Sequence, residues 1–135
     1  MTRVVMGLLF DVSGNILIAK RNITKKYGGL WEFPGGKVEG NESVEEALVR
    51  EIWEELDAPI DIDRVYRSYL FSHENLEAEF IPIKGRISPA DITLIEHDEH
   101  RFIRLQDLEK YEFSPPDYGA IKLIEKKRQS IRNHT

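Results

Sequence analysis

The stretch Gly35–Ala58 reads GGKVEGNESVEEALVREIWEELDA, and three of its acids, Glu51, Glu54 and Glu55, fall within five positions. Ser43 followed three residues later by Glu46 fits a capping box, which makes Ser43 the expected N-cap of a helix. Val44, Leu48, Ile52 and Leu56 recur at a spacing of four and give that helix an apolar stripe. Asp57 and Pro59 mark its end. At about 100° per residue the three glutamates share an arc of roughly 100° that borders the apolar stripe. Like charges at this spacing repel by a few tenths of a kcal/mol per pair. A solvated, glutamate-rich helix face is one reading of the crowding. A site for a hard divalent cation, whose preferred ligands are carboxylate oxygens, is the other.

The surrounding chain sets the frame. Its 135 residues suggest one domain spanning 1–135. With 41% hydrophobic and 32% charged residues it has the composition of a folded globular protein. The net charge of −5 provides no global positive field for a nucleic acid polymer, so none is expected as a partner. There is no cysteine, which excludes disulfides and thiolate metal sites. The opening MTRVVMGLLFDVSG lacks a signal-peptide pattern, and no apolar run approaches the ~20 residues that span a bilayer. A cytoplasmic protein without membrane contact is the expectation.

Val4–Phe10 and ILIAK read as two strands joined by a turn at Gly14 and Asn15. LWEFPGG reads as a short strand that ends at Pro34, with Gly35 and Gly36 forming a tight loop. IDIDRVYRSYLF and LEAEFIPIKG alternate like neighbouring antiparallel strands, and HRFIRL adds another. QDLEKY reads as a helical turn, and the C-terminal segment as an amphipathic helix through Ile121, Leu123, Ile124 and Ile131. Trp31, Phe33 and Trp53 are expected in the core. The natural architecture is α+β, an α/β/α sandwich with a mixed sheet packed between helices.

The residues before the helix narrow its chemistry. Gly36, five residues, Glu42, seven residues and Arg50-Glu51-Ile52-Trp53-Glu54-Glu55 follow one another in that order. This resembles the Nudix box, in which a glycine and an apolar residue stand where this chain has Asp57 and Ala58. Aspartate tolerates the left-handed conformation that a helix end often requires, so a small stability cost is expected there. The flanks LIAKR, GGLWEFPGGKVE and SPPDYGAIKLI resemble the MutT-type and CTP-pyrophosphohydrolase-like branch of the superfamily.

The resemblance implies the Nudix fold and hydrolysis of a nucleoside diphosphate linked to another group. It implies Mg²⁺, with Mn²⁺ as a substitute, held by the Gly36 carbonyl, Glu51, Glu54 and Glu55. Glu51 is also the candidate general base, Arg50 the residue that orients the glutamates, and Glu42 a secondary position. Family members often add a glutamate from a distant loop. Glu96 and Glu99 are the candidates, with Glu99 preferred, while His97 and His100 read as surface residues in preference to metal ligands, because oxygen ligands dominate this chemistry. Arg21 and Lys20 are expected to meet phosphates. Asp117 matches a position that reads the base edge, and Phe80 and Tyr69 lie on strands able to wall the base pocket. Glu74-Asn75-Leu76 carries neither the tyrosine typical of diadenosine-polyphosphate hydrolases nor the proline typical of ADP-ribose pyrophosphatases. The expected activity is therefore cleavage of NTPs or dNTPs to NMP and pyrophosphate, by a monomer or homodimer. A nucleotide sugar, a dinucleotide or a non-catalytic nucleotide-binding module are the alternatives.

Overall fold

A computed structural model of the chain describes residues 1–133, without the side chains of Leu76 and of residues 129–133. The central element is the strand β1 (Thr2–Phe10), apolar from Val4 to Phe10 because it is covered on both faces. Met6 and Leu8 point to one core, Val5 and Leu9 to the other. The turn at Gly14 (φ +83°) leads into β2 (Ile16–Lys20), as the sequence predicts. There Ile16 and Ile18 join the first core and Leu17 the second.

The following segment departs from the expectation. A two-residue strand β3 (Trp31–Glu32) pairs with β2, and the chain then resumes pairing as β4 (Gly35–Lys37) against β1. Gly35 and Gly36 therefore form no tight loop. They are strand residues opposite Met6 and Val5, and a Cβ on Gly35 would collide with the β1 backbone.

The helix α1 (Val44–Leu56) starts as predicted. Glu46 N donates to Ser43 Oγ at 3.1 Å and Ser43 N donates to Glu46 Oε1 at 2.9 Å. Leu48, Ile52 and Leu56 are fully buried against β1 and its neighbours. Asp57 terminates the helix in the left-handed region (φ 51°, ψ 40°), its N–H bonded to the Trp53 carbonyl. Trp53 itself is 47% exposed and not a core residue, because it stands at the edge of the apolar stripe.

Strands β5 (Asp61–Val65) and β6 (Tyr69–His73) pair antiparallel with successive halves of β7 (Leu76–Arg86), which runs parallel to β1. Strand β8 (Glu99–Ile103) pairs antiparallel with β2. Together they make one eight-stranded mixed sheet. A 3₁₀ helix at Leu105–Lys110 matches the predicted helical turn. The helix α2 (Tyr118–Asn133) buries Ala120, Ile121 and Ile124 on the sheet face opposite α1. The predicted Ile131 contact lies outside the described side chains. The α/β/α layering of the sequence reading is thus present. No helix among the described residues is long and apolar enough to cross a membrane.

The Asp57 cap is directly testable. Asp57→Gly is expected to be at least as stable as the parent, whereas Asp57→Val is expected to lose about 1–2 kcal/mol in urea unfolding. Equal midpoints for the two variants would contradict the left-handed cap.

Candidate active site

Helix α1 presents Arg50, Glu51, Glu54 and Glu55 within two turns, and Arg50 organises the first two glutamates. Its Nη1 donates to Glu51 Oε1 at 3.0 Å and to Glu54 Oε2 at 3.2 Å. Its Nε and Nη2 grip Glu42 at 2.6 and 2.9 Å, and Nη2 also donates to the Lys37 carbonyl at 2.9 Å. Glu42 Oε1 further accepts the Glu39 N–H at 2.9 Å, so Glu42 serves the loop structure. The Arg50 hydrogen bonds hold the Glu42 carboxyl below its usual range. Gly36 completes this edge. Any Cβ there would occupy the space of the Glu51 carboxylate.

Glu55 has a different environment from its two neighbours. It lies beside the apolar stripe and is only 3% exposed, although it belongs to the same acidic arc. Burial, with Glu32, Glu51 and Glu96 nearby, pushes its carboxyl up to about 10. The backbone N–H groups of Thr93 and Ile95 donate to the Leu56 and Glu55 carbonyls at 2.9 and 3.0 Å. These bonds fasten the loop that carries His97 to the end of α1. His97 Nε2 then lies 2.7 Å from Glu32 Oε2 and 3.6 Å from Glu55 Oε1. Arg21 Nη1 holds the other Glu32 oxygen at 2.6 Å. Burial alone would raise the Glu32 carboxyl, but the His97 bond and Arg21 outweigh it and hold it low. Two buried atoms of the cluster, Glu55 Oε2 and His97 Nδ1, have no partner among the described residues. A cavity of about 70 Å³ opens onto Glu32, Glu55, Glu96 and His97.

Two loop assignments change accordingly. His97 is a buried residue of the site and not a surface histidine. Glu96 lines the cavity, whereas Glu99 sits on β8 with its carboxylate 2.7 Å from Arg101 Nε. The structure thus brings Glu96, and not the preferred Glu99, next to Glu55. Glu32 was missed by the sequence reading, yet a signal existed. Trp31 and Phe33 enter the α2-side core, so strand alternation turns Glu32 toward α1 and Glu55.

A second cavity, of about 260 Å³, adjoins the first and includes Arg21, Glu32, Gly36, Phe80 and Asp117 in its walls. Asp117 is buried, with Oδ2 accepting the Phe33 N–H at 2.7 Å and Oδ1 accepting the Ser114 hydroxyl at 3.1 Å. Burial and the nearby Glu32 charge push its carboxyl up to about 8 against the pull of these bonds. Phe80 stacks on Tyr69 at 5.7 Å with 15° between the rings. The Tyr69 hydroxyl donates to the Pro116 carbonyl at 2.7 Å. Arg21 lines both cavities, with Nε bonded to the Lys26 carbonyl at 2.8 Å. Lys20 joins neither cavity, since its ammonium lies over the Trp31 ring, 5.9 Å from the centroid. A larger cleft of about 590 Å³ at the Phe10 end of β1 shares no residue with the acidic face.

The NUDIX domain model matches residues 1–124. An 8-oxo-dGTP diphosphatase of Buchnera aphidicola is 32% identical over 128 residues, which are 93% of this chain and 94% of that protein. The CTP pyrophosphohydrolase of Escherichia coli is 43% identical over 83 residues, 62% of this chain and 54% of that protein. The solution structure of the E. coli ORF135 protein superposes with a TM-score of 0.83 at 27% identity, covering 96% of this chain and 92% of that one. The match along nearly the whole chain, together with the Arg50-centred acidic helix, shows that this chain belongs to the Nudix family of hydrolases.

Proposed function

We propose that this chain hydrolyses nucleoside triphosphates to a nucleoside monophosphate and pyrophosphate with a divalent cation held on α1. The observation that carries the reading is Gly36, which abuts the Glu51 carboxylate and also lines the aromatic cavity that holds Asp117. A base in that cavity would place its phosphates toward the acidic face of the helix.

The residues fit a hard cation. Arg50 engages one oxygen each of Glu51 and Glu54, and Glu55 Oε2 has no partner among the described residues. Gly36, Glu51, Glu54 and Glu55 are the proposed ligands of Mg²⁺, or of Mn²⁺ in its place, with Glu96 rather than Glu99 as the loop acid. When bound, the ion offsets phosphate charge and makes a coordinated water more acidic. Glu51 is the proposed proton acceptor for the attacking water, and Arg50 the positioning residue that keeps Glu51 and Glu54 apart and aimed. Arg21 meets phosphate while it fixes Glu32. Phe80, backed by the stacked Tyr69 ring, offers a wall on which any base can stack. Asp117 supplies the discrimination. Below about pH 8 its neutral carboxyl both donates and accepts, and this suits the mixed edge of an oxidised purine or a cytosine. The names of the relatives, an 8-oxo-dGTP diphosphatase and a CTP pyrophosphohydrolase, support those two base classes.

Pyrophosphate release from dCTP, CTP, dGTP and oxidised dGTP, with Mg²⁺ and with chelator, tests the activity. Metal-dependent turnover of at least one is expected, and none across the panel would contradict the proposal. Glu54→Gln is expected to lower kcat on the order of 100-fold or more with the fold retained. Unchanged turnover would remove Glu54 from the metal site.

Asp117 also leaves a mark on stability. Its carboxyl titrates near 3.8 when unfolded and near 8 when folded, so stability falls as pH rises through that window. Asp117→Asn is expected to flatten the fall in unfolding midpoint between about pH 5 and pH 8. An unaltered slope would contradict the buried proton.

A further inference from the structure

Glu32, Glu55 and His97 stand behind the Arg50-bound carboxylates as a separate set of donors. We propose that they bind a transition-metal dication, Mn²⁺, Co²⁺ or Zn²⁺, through the two carboxylates and the His97 imidazole. The inference concerns metal choice and stands whichever nucleotide the chain cleaves. Of the three, Glu55 is shared with the cation site on the outer face of α1, and Glu96 stands within reach of both.

The distances fit one ion. One donor atom from each residue lies within 4.8 Å of the other two. Ligands about 2.1 Å from a common metal are about 3.0 Å apart at a right angle and about 3.4 Å apart at the tetrahedral angle. His97 Nε2 stands 2.7 Å from Glu32 Oε2 and 3.6 Å from Glu55 Oε1, which brackets those values. Small side-chain rotations would close the set around a cation.

Other observations point the same way. The Glu55 side chain is only 4% exposed, and its Oε2 has no partner among the described residues. Buried carboxylate oxygens are rarely left so, and a cation would satisfy this one. Arg21 grips Glu32 Oε1 at 2.6 Å and thereby aims Oε2 at His97, the way outer partners orient metal ligands. The 70 Å³ cavity over the cluster has room for an ion with a water, and Glu96 stands on its wall as a further oxygen donor. The imidazole decides the class of metal. Mg²⁺ favours oxygen-only surroundings, whereas Mn²⁺, Co²⁺ and Zn²⁺ accept a nitrogen ligand.

Titration of Mn²⁺ into the metal-free full-length chain, read by electron spin-echo modulation, tests the site without any substrate. The parent protein is expected to show a coordinated ¹⁴N at the first equivalent. His97→Gln is expected to abolish that coupling and weaken Mn²⁺ binding about tenfold or more, with little change in Mg²⁺ binding. Absence of nitrogen coupling in the parent protein would overturn the proposal whatever the variant does. A coupling that survives His97→Gln would overturn it as well, by assigning the nitrogen to another histidine. Failure of the nucleotide panel to release pyrophosphate would leave the nitrogen signal intact, so the two readings fail separately.

Discussion

Five hydrogen bonds from the Arg50 guanidinium, to Glu42, Glu51, Glu54 and the Lys37 carbonyl, hold the acidic edge of this molecule together. Without a cation among them, two carboxylates on one helix face would splay into solvent or disfavour the helix. The guanidinium suits the task because its planar fork reaches several oxygens at fixed angles, which an ammonium cannot do. It also binds the helix to the preceding loop through Glu42 and Lys37. The same contacts therefore shape the fold locally and aim the groups that the proposed reaction needs.

Tension remains after Arg50 has done this. Glu55 is buried beside Glu32 and Glu51, and Asp117 is buried within reach of the Glu32 charge; both carboxyls are raised far above their ordinary range. Structural carboxylates usually find a cation or the solvent. Carboxyls displaced this far, bordering two cavities that meet at Arg21, Glu32 and Gly35, single this region out as the candidate site. In the proposed reading, stability is given up locally for groups that become favourable only when a cation and a polyphosphate arrive.

Much of this was legible in the sequence because it is local. The Ser43–Glu46 capping box, the stripe Leu48-Ile52-Leu56 and the left-handed Asp57 are each determined within a turn or two of chain. The apolar run Val4–Phe10 reads as a strand, but its cover on both faces is visible only in the structure. What escaped depends on long-range pairing. Gly35 and Gly36 look like loop residues until β1 is seen beside them. His97 looks like a surface histidine until the Thr93 and Ile95 N–H groups dock its loop on α1. Glu96 and Glu99 are close in sequence, but β8 begins at Glu99, which stands opposite Lys20 of β2 with its carboxylate on Arg101 of its own strand. Trp53 stands at the margin of a helical stripe, where periodicity alone does not decide burial.

The central claim is that Glu55 is a strained carboxyl kept for a cation. Unfolding midpoints of the parent chain and Glu55→Gln, measured near pH 8 in chelator and in millimolar Mn²⁺, test it most directly. The unfolded parent ionises Glu55 at this pH while the folded one keeps its proton until about 10, so the glutamine variant is predicted to be the more stable of the two in chelator. Mn²⁺ is predicted to stabilise the parent and to do so much less in the variant, as binding to the folded state alone requires. A variant less stable than its parent in chelator, with the Mn²⁺ response intact, would contradict the account.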